Sequence, residues 1–153
     1  MLFLASYKGT QPGLAGLVNR AIRFVTKSQY SHTEICLGDP FASPVDCLSS
    51  AHHEGGVRVK HMQLSPAKWD VIALPHVSEG AYLHFLANHH GQPYDFIGCA
   101  RSVLPFVRGE HPRKWFCSEV SAAIIGHAEP WRMHPGVLHM ITSQQTSMQG
   151  NTA

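Results

Sequence analysis

The chain predicts an α+β domain in which an antiparallel β-sheet packs against helices. Three observations carry that prediction. Between Ser31 and Leu74, short segments of alternating polarity are separated by the breaks Asp39-Pro40, Glu54-Gly55-Gly56 and Pro66, the pattern of antiparallel strands joined by turns. From Gly13 to Thr26, the residues Leu14, Leu17, Val18, Ala21, Ile22 and Val25 recur at helical spacing and predict an amphipathic helix. The run WFCSEVSAAII at Trp115–Ile125 reads as an apolar helix behind an aromatic pair. A length of 153 residues, 44% of them hydrophobic and 14% charged, is enough for one domain with a real core and excludes a disordered chain.

In order, Leu2–Tyr7 is an apolar run ended by Lys8-Gly9 and reads as a strand. Gln11-Pro12-Gly13 is a turn into the first helix, whose wet side carries Asn19, Arg20 and Arg23. Ser31–Gly38 is a strand with Thr33, Ile35 and Leu37 on one face and His32, Glu34 and Cys36 on the other. Val45–Ser50, Val57–Leu64 and Trp69–Leu74 continue as strands, and their short turns predict an antiparallel meander. Ser78 opens a helix to about Asn88 with Tyr82, Phe85 and Leu86 inward. Gly91-Gln92-Pro93 interrupts, a helix starts near Asp95 and is disturbed at Pro105, and Arg108–Lys114 is loop. The Cys117 helix ends near Gly126. Pro135–Thr142 is a short helix or strand, and residues 144–153 form a polar tail beyond a single domain spanning residues 1–143.

Several function classes drop out. A formal net charge of +2, with lysines and arginines scattered, gives no footprint for nucleic acid. No apolar run is long enough for an integral membrane span, and the N-terminus lacks the basic region of a secretory signal. The expected setting is therefore the cytoplasm of the producing cell, with release by lysis or with a phage particle left open. Cys36, Cys47, Cys99 and Cys117 form no CxxC and are expected as reduced thiols. The pairs His52-His53 and His89-His90 argue weakly for zinc, because neighbours on a strand point to opposite faces. No metal or other cofactor is expected.

What remains is thiol chemistry. Cys117 stands at a helix start, where free N–H groups and the positive end of the helix stabilise a thiolate. A thiol nucleophile needs a base, and a third polar group to orient that base. His32 is the best placed of the 12 histidines: it begins a strand and shares a face with Glu34 and Cys36. The Cys117 helix is expected to pack its start over that polar face. For the orienting group the residues leave open Glu34, on the same strand, and Ser49, Ser50, His52, His53 or Glu54 on a neighbouring one. A buried Glu34 would be costly without a partner.

Taken together, Tyr30-Ser31-His32, Gly91-Gln92-Pro93-Tyr94-Asp95 and Phe116-Cys117-Ser118-Glu119 resemble, in order and spacing, the circularly permuted papain-like fold of the NlpC-type cysteine amidase and peptidase superfamily. Its distant relatives include lecithin:retinol acyltransferase. The resemblance spans about residues 28–125. It implies Cys117 as nucleophile, His32 as base and Tyr94 as a substrate-binding residue lining the site. Glu119 matches the acid of the family's Cys-Ser-Glu motif and reads as a helix-start element. The family's third polar residue sits on the second core strand, where this chain reads Leu48-Ser49-Ser50-Ala51, with Ser50 the nearest positional match and no acid or histidine among those four.

The expected activity is a thiol-dependent hydrolase of an amide, peptide or ester bond, with cell-wall peptide as the substrate the resemblance implies. Two alternatives stand beside it. One is an acyltransferase using the same pair on a lipid ester, with the apolar stretch Ile97–Val107 against acyl chains. The other is a non-catalytic structural or binding protein that keeps the fold.

Overall fold

A computed structural model describes residues 1–10, 12–103 and 111–150. The chain is α+β, with a five-stranded antiparallel sheet and helices. The strands are β1 (Leu2–Tyr7), β2 (His32–Leu37), β3 (Val45–Ala51), β4 (Gly56–Met62) and β5 (Trp69–Leu74), and the helices are α1 (Gly13–Thr26), α2 (Glu79–His89), α3 (Phe96–Arg101), α4 (Cys117–Ile125) and α5 (Pro135–Gly150). The sheet order is β4-β3-β2-β1-β5. Only β2–β3–β4 form the expected meander. After β4 the chain crosses to the far edge and lays β5 along β1, Leu4 opposite Ile72.

Alternation along the strands divides the sheet into two faces. On one, Leu2, Leu4, Ile35, Leu48, Val57 and Leu74 form the main core with Tyr82 and Phe85 of α2, Val120, Ala122 and Ile124 of α4, and Leu138 of α5. The second face carries Ala5, Cys36 and Cys47, covered by Leu64 and Phe41 from the loops. Cys36 and Cys47 are opposed across β2 and β3 as buried free thiols with their sulfurs 3.2 Å apart. Helix α4 lies on the Thr33/Ile35 face, where the Thr33 and Ser121 hydroxyls meet at 2.9 Å. The body of α4 thus lies on the face opposite Glu34 and Cys36, and it is the helix start, at Cys117, that meets His32. Apolar Ile35 and Leu37 attract the helix more strongly than a charged face does.

Helix α1 forms over the expected residues but turns the other way. Leu17 is 60% exposed and Val25 53%, and Ala21 is exposed too, while Gly16 is buried and Asn19, Ile22 and Arg23 are partly so. The side chains of Leu14 and Val18 lie outside the described residues. Polar anchoring explains the orientation. The Arg23 guanidinium donates to the Gly9 carbonyl and reaches the Ser31 hydroxyl, so the Arg23 side is the one tied to the body while Arg20 stays exposed.

Helix α3 starts as expected, with the Asp95 carboxylate accepting from the Gly98 N–H at 2.8 Å. The disturbance expected at Pro105, and residues 108–110 of the expected loop, lie outside the described residues. Helix α5 runs from Pro135 to Gly150, so residues 144–150, expected as a frayed tail, continue a helix; the last three residues lie outside the described part.

Candidate active site

The GQPYD stretch builds the wall in front of α4. Gly91 donates its N–H to the Val57 carbonyl and Val57 donates back to the Gln92 carbonyl, both at 2.9 Å, which pins the stretch against β4. Gly56 permits that approach, since a Cβ there would collide with the Gln92 carbonyl, and its φ of +114° suits glycine. Trp115 then donates its N–H to the Pro93 carbonyl at 3.1 Å and its indole N–H to Gln92 at 2.7 Å. Tyr94 bridges Trp115 in parallel register, two residues before Cys117. The sequence thus brings Tyr94 and Cys117 together through backbone pairing rather than side-chain packing.

Cys117 is the first residue of α4 and only 3% exposed. Glu119 accepts the Phe116 N–H at 3.3 Å, which fixes the helix start. The Cys117 thiol meets His32 in a hydrogen bond, and the Thr33 and Ser118 backbone N–H groups also point to it. Burial alone would raise its pKa. His32, then these N–H groups, outweigh burial and hold the thiol below its ordinary value. The same pairing acts on His32. Burial favours the neutral ring, but the facing Cys117 and then Glu34 push its pKa up to about 10. The arrangement favours a thiolate–imidazolium pair, the reactive form of a cysteine nucleophile.

The orienting group is Glu34. Its Oε1 lies 2.9 Å from His32 Nε2, leaving the other ring nitrogen for Cys117. Glu34 is 1% exposed, and it is not alone. Arg58 donates to it twice, Nη1 to Oε2 and Nη2 to Oε1, each at 2.7 Å. Burial would raise the Glu34 pKa, but the Arg58 bonds, then those to His32, keep it below the ordinary carboxylate value. Arg58 in turn donates to Glu54 at 2.5 Å, and Lys60 does so at 2.6 Å. The line Cys117–His32–Glu34–Arg58–Glu54 therefore alternates in charge from the start of α4 to the edge strand.

Ser50 does not join this line. It opposes Val57 on β4 and follows Leu48 by two residues, so it lies on the helix-covered face, and its buried hydroxyl has no hydrogen-bond partner among the described residues. The positional match therefore does not orient His32. Ser49, on the Glu34 side, spends its hydroxyl on the Thr33 carbonyl at 2.6 Å.

Tyr94 lies beside Cys117, with its phenol hydrogen-bonded to the Cys99 thiol. Burial, then the Cys117 charge, raises its pKa well above the ordinary tyrosine value. His52 packs on Phe96 at 4.5 Å and on Tyr94 at 6.5 Å between ring centres, an aromatic wall rather than a ligand set. His89 stacks between Phe85 and Trp115. Among the described residues no three His, Cys, Asp or Glu side chains converge to hold a metal ion.

Arg58 is the site residue that sequence reasoning missed. It lies 24 positions beyond Glu34, so no local spacing reveals the pair. The available signal was the buried carboxylate itself, which demands a cation. Compared with known proteins, the chain matches no family model, no curated protein and no solved structure.

Proposed function

We propose that the chain is a cysteine hydrolase of permuted papain-like architecture, acting on an amide, peptide or ester bond through Cys117, His32 and Glu34. One observation carries the reading. A helix-start thiol faces a histidine whose far nitrogen is held by a carboxylate, and that carboxylate is buried and clasped by an arginine. An inert core thiol has no use for such an arrangement, whose charged members are costly to bury. The order of histidine before cysteine, and the lining tyrosine beside the nucleophile, agree with the permuted family that the sequence resembles.

In this mechanism the Cys117 thiolate attacks the substrate carbonyl carbon. The oxyanion forms at the start of α4, where the Cys117 N–H has no partner within the helix and donates to it. His32 gives its proton to the leaving amine or alcohol as the tetrahedral adduct collapses to a thioester. It then takes a proton from water, which attacks the thioester, and keeps it as the acid product leaves and the Cys117 sulfur departs as thiolate, which restores the starting pair. Glu34 holds the ring in orientation throughout. A peptide from cell-wall material is the first substrate to try.

The test is the pH dependence of iodoacetamide labelling, read by mass spectrometry for all four cysteines. Cys117 is expected to label fastest and below about pH 7.5, and His32→Ala to slow it. Hydrolysis of an activated ester is expected to vanish in Cys117→Ala. Labelling of Cys117 no faster than Cys36, Cys47 and Cys99 would remove the enzyme reading.

A further inference from the structure

We propose that the outward face of α1, continued by the start of α3, docks onto the surface of an anionic lipid bilayer. The inverted packing of α1 is the starting observation. Leu17, Phe24 and Val25 are 60%, 85% and 53% exposed, although an amphipathic helix of a globular domain ordinarily turns such residues inward. Phe96 and Ile97 on α3 are 56% and 61% exposed. The end of α1 and the turn that follows α3 come together: Val25 and Thr26 line one cavity of about 280 Å³ with Ser102 and Val103. Each of the two helices thus shows two or more large apolar side chains to solvent, where single exposed residues would need no explanation.

Charge selects the occupant. Arg20 and Lys27 are exposed on α1 and its cap. No aspartate or glutamate stands anywhere from Met1 to Thr33, and none from Phe96 to Gly109, although the chain has 10 acids. A helix with bulky apolar residues, flanking bases and no acid is the form that lies in a membrane interface, its apolar side among the acyl chains and its bases among anionic headgroups. A second copy of the chain fits less well, because a two-fold contact would oppose each basic helix to its own like. Phe96 also packs on Tyr94, with ring centres 5.0 Å apart, so the docking face borders the wall of the candidate active site. The inference rests on exposure and charge and stands whether or not Cys117 is catalytic.

The experiment is cosedimentation of the full chain with vesicles. One set is an equal mixture of phosphatidylglycerol and phosphatidylcholine and the other pure phosphatidylcholine, each at about 50 and 500 mM salt. The protein is expected to pellet with the anionic vesicles at low salt, less at high salt, and little with the neutral ones. Two double variants alter only exposed positions, so thermal melts should show them folded: Leu17→Ser with Phe24→Ser, and Arg20→Glu with Lys27→Glu. Each is expected to weaken partitioning by roughly tenfold or more. Absence of pelleting with anionic vesicles at low salt would overturn the proposal. So would binding that neither variant changes, or equal binding to neutral vesicles. A solution dimer that Leu17→Ser with Phe24→Ser dissociates would assign the face to a second copy instead.

Discussion

Glu34 reaches His32 from only two positions along the same strand, and its charge decides what the histidine can do. Facing Cys117 and bonded to Glu34, the ring resists the neutralising effect of burial and keeps its proton to about pH 10. In a thiol hydrolase that proton goes to the leaving group, so the alkaline limb of kcat/KM is expected near pH 10, a value belonging to the coupled pair as a whole. Glu34→Gln keeps the size and one acceptor but removes the anion. The imidazolium then loses support, and the alkaline limb moves to lower pH. The rate at neutral pH is expected to fall by roughly a hundredfold or more, because the ring is also less firmly oriented. A pH–rate profile on the variant checks both effects. An unmoved alkaline limb would show that Glu34 is only a structural anion.

Strand β4 is an edge strand, yet it carries the cation that makes the buried anion of β2 tolerable. The two bonds from Arg58 to Glu34 cross the width of β3, so the edge is tied to the centre by charge as well as by backbone ladder. Arg58→Met keeps the stem and removes the guanidinium. Breaking a buried pair on one side costs roughly 3–5 kcal/mol, a drop of about 10 °C or more in Tm at this chain length. Adding Glu34→Gln removes the orphaned charge and is expected to restore most of the loss. A single variant as stable as the parent would mean that Glu34 takes up a proton at little cost. Element by element, most of this was legible in the chain. Strand and helix limits follow from period and from breakers, and Cys117 at a helix start and His32 at a strand start were readable as such. Facing was not. Alternation says which residues share a face of β2, but not which face a helix covers, and helical periodicity in α1 segregates Leu17 and Val25 without saying that they turn inward. Long-range partners decide both: Ser121 for Thr33, and Gly9 and Ser31 for Arg23. The crossing of β5 to the side of β1 is likewise set by partners distant in sequence.

Across the whole molecule the histidines are not equivalent, and their differences set the response to pH. His127, His134 and His139 flank or belong to α5, and burial lowers the pKa of each. His139 is also bonded, its Nδ1 2.9 Å from Ser6 and its Nε2 3.0 Å from Tyr30, whose hydroxyl donates to Asp70 at 2.8 Å. A histidine with a depressed folded pKa binds its proton more readily when unfolded. Its contribution to stability is complete above about pH 6.5 and shrinks as the pH falls below it. Glu34, Glu54 and Asp70 also have lowered values, against the opposing effect of burial, because Arg58, Lys60 and Lys8 respectively lead the groups bonding them. Their stabilisation is present above about pH 4.5 and is lost only as acid reaches the carboxylate range. Between these windows His127, His134 and His139 act together with the lowered Cys117, whose thiol keeps its proton in the unfolded chain, and all four favour the higher pH. On the alkaline side the raised His32 and the lowered Cys117 pull in opposite directions, so the acid side gives the cleaner reading. Thermal melts at about pH 7.5 and 5.5 are therefore expected to show a lower Tm at the acid value. Replacing His127 and His134 together by Asn should shrink that difference. Asn can still cap α5 in place of the His134 ring, which accepts the Val137 N–H at 3.3 Å, so the fold has no reason to change. A pH difference unaltered in the double variant would move the acid sensitivity away from the end of α4 and the start of α5.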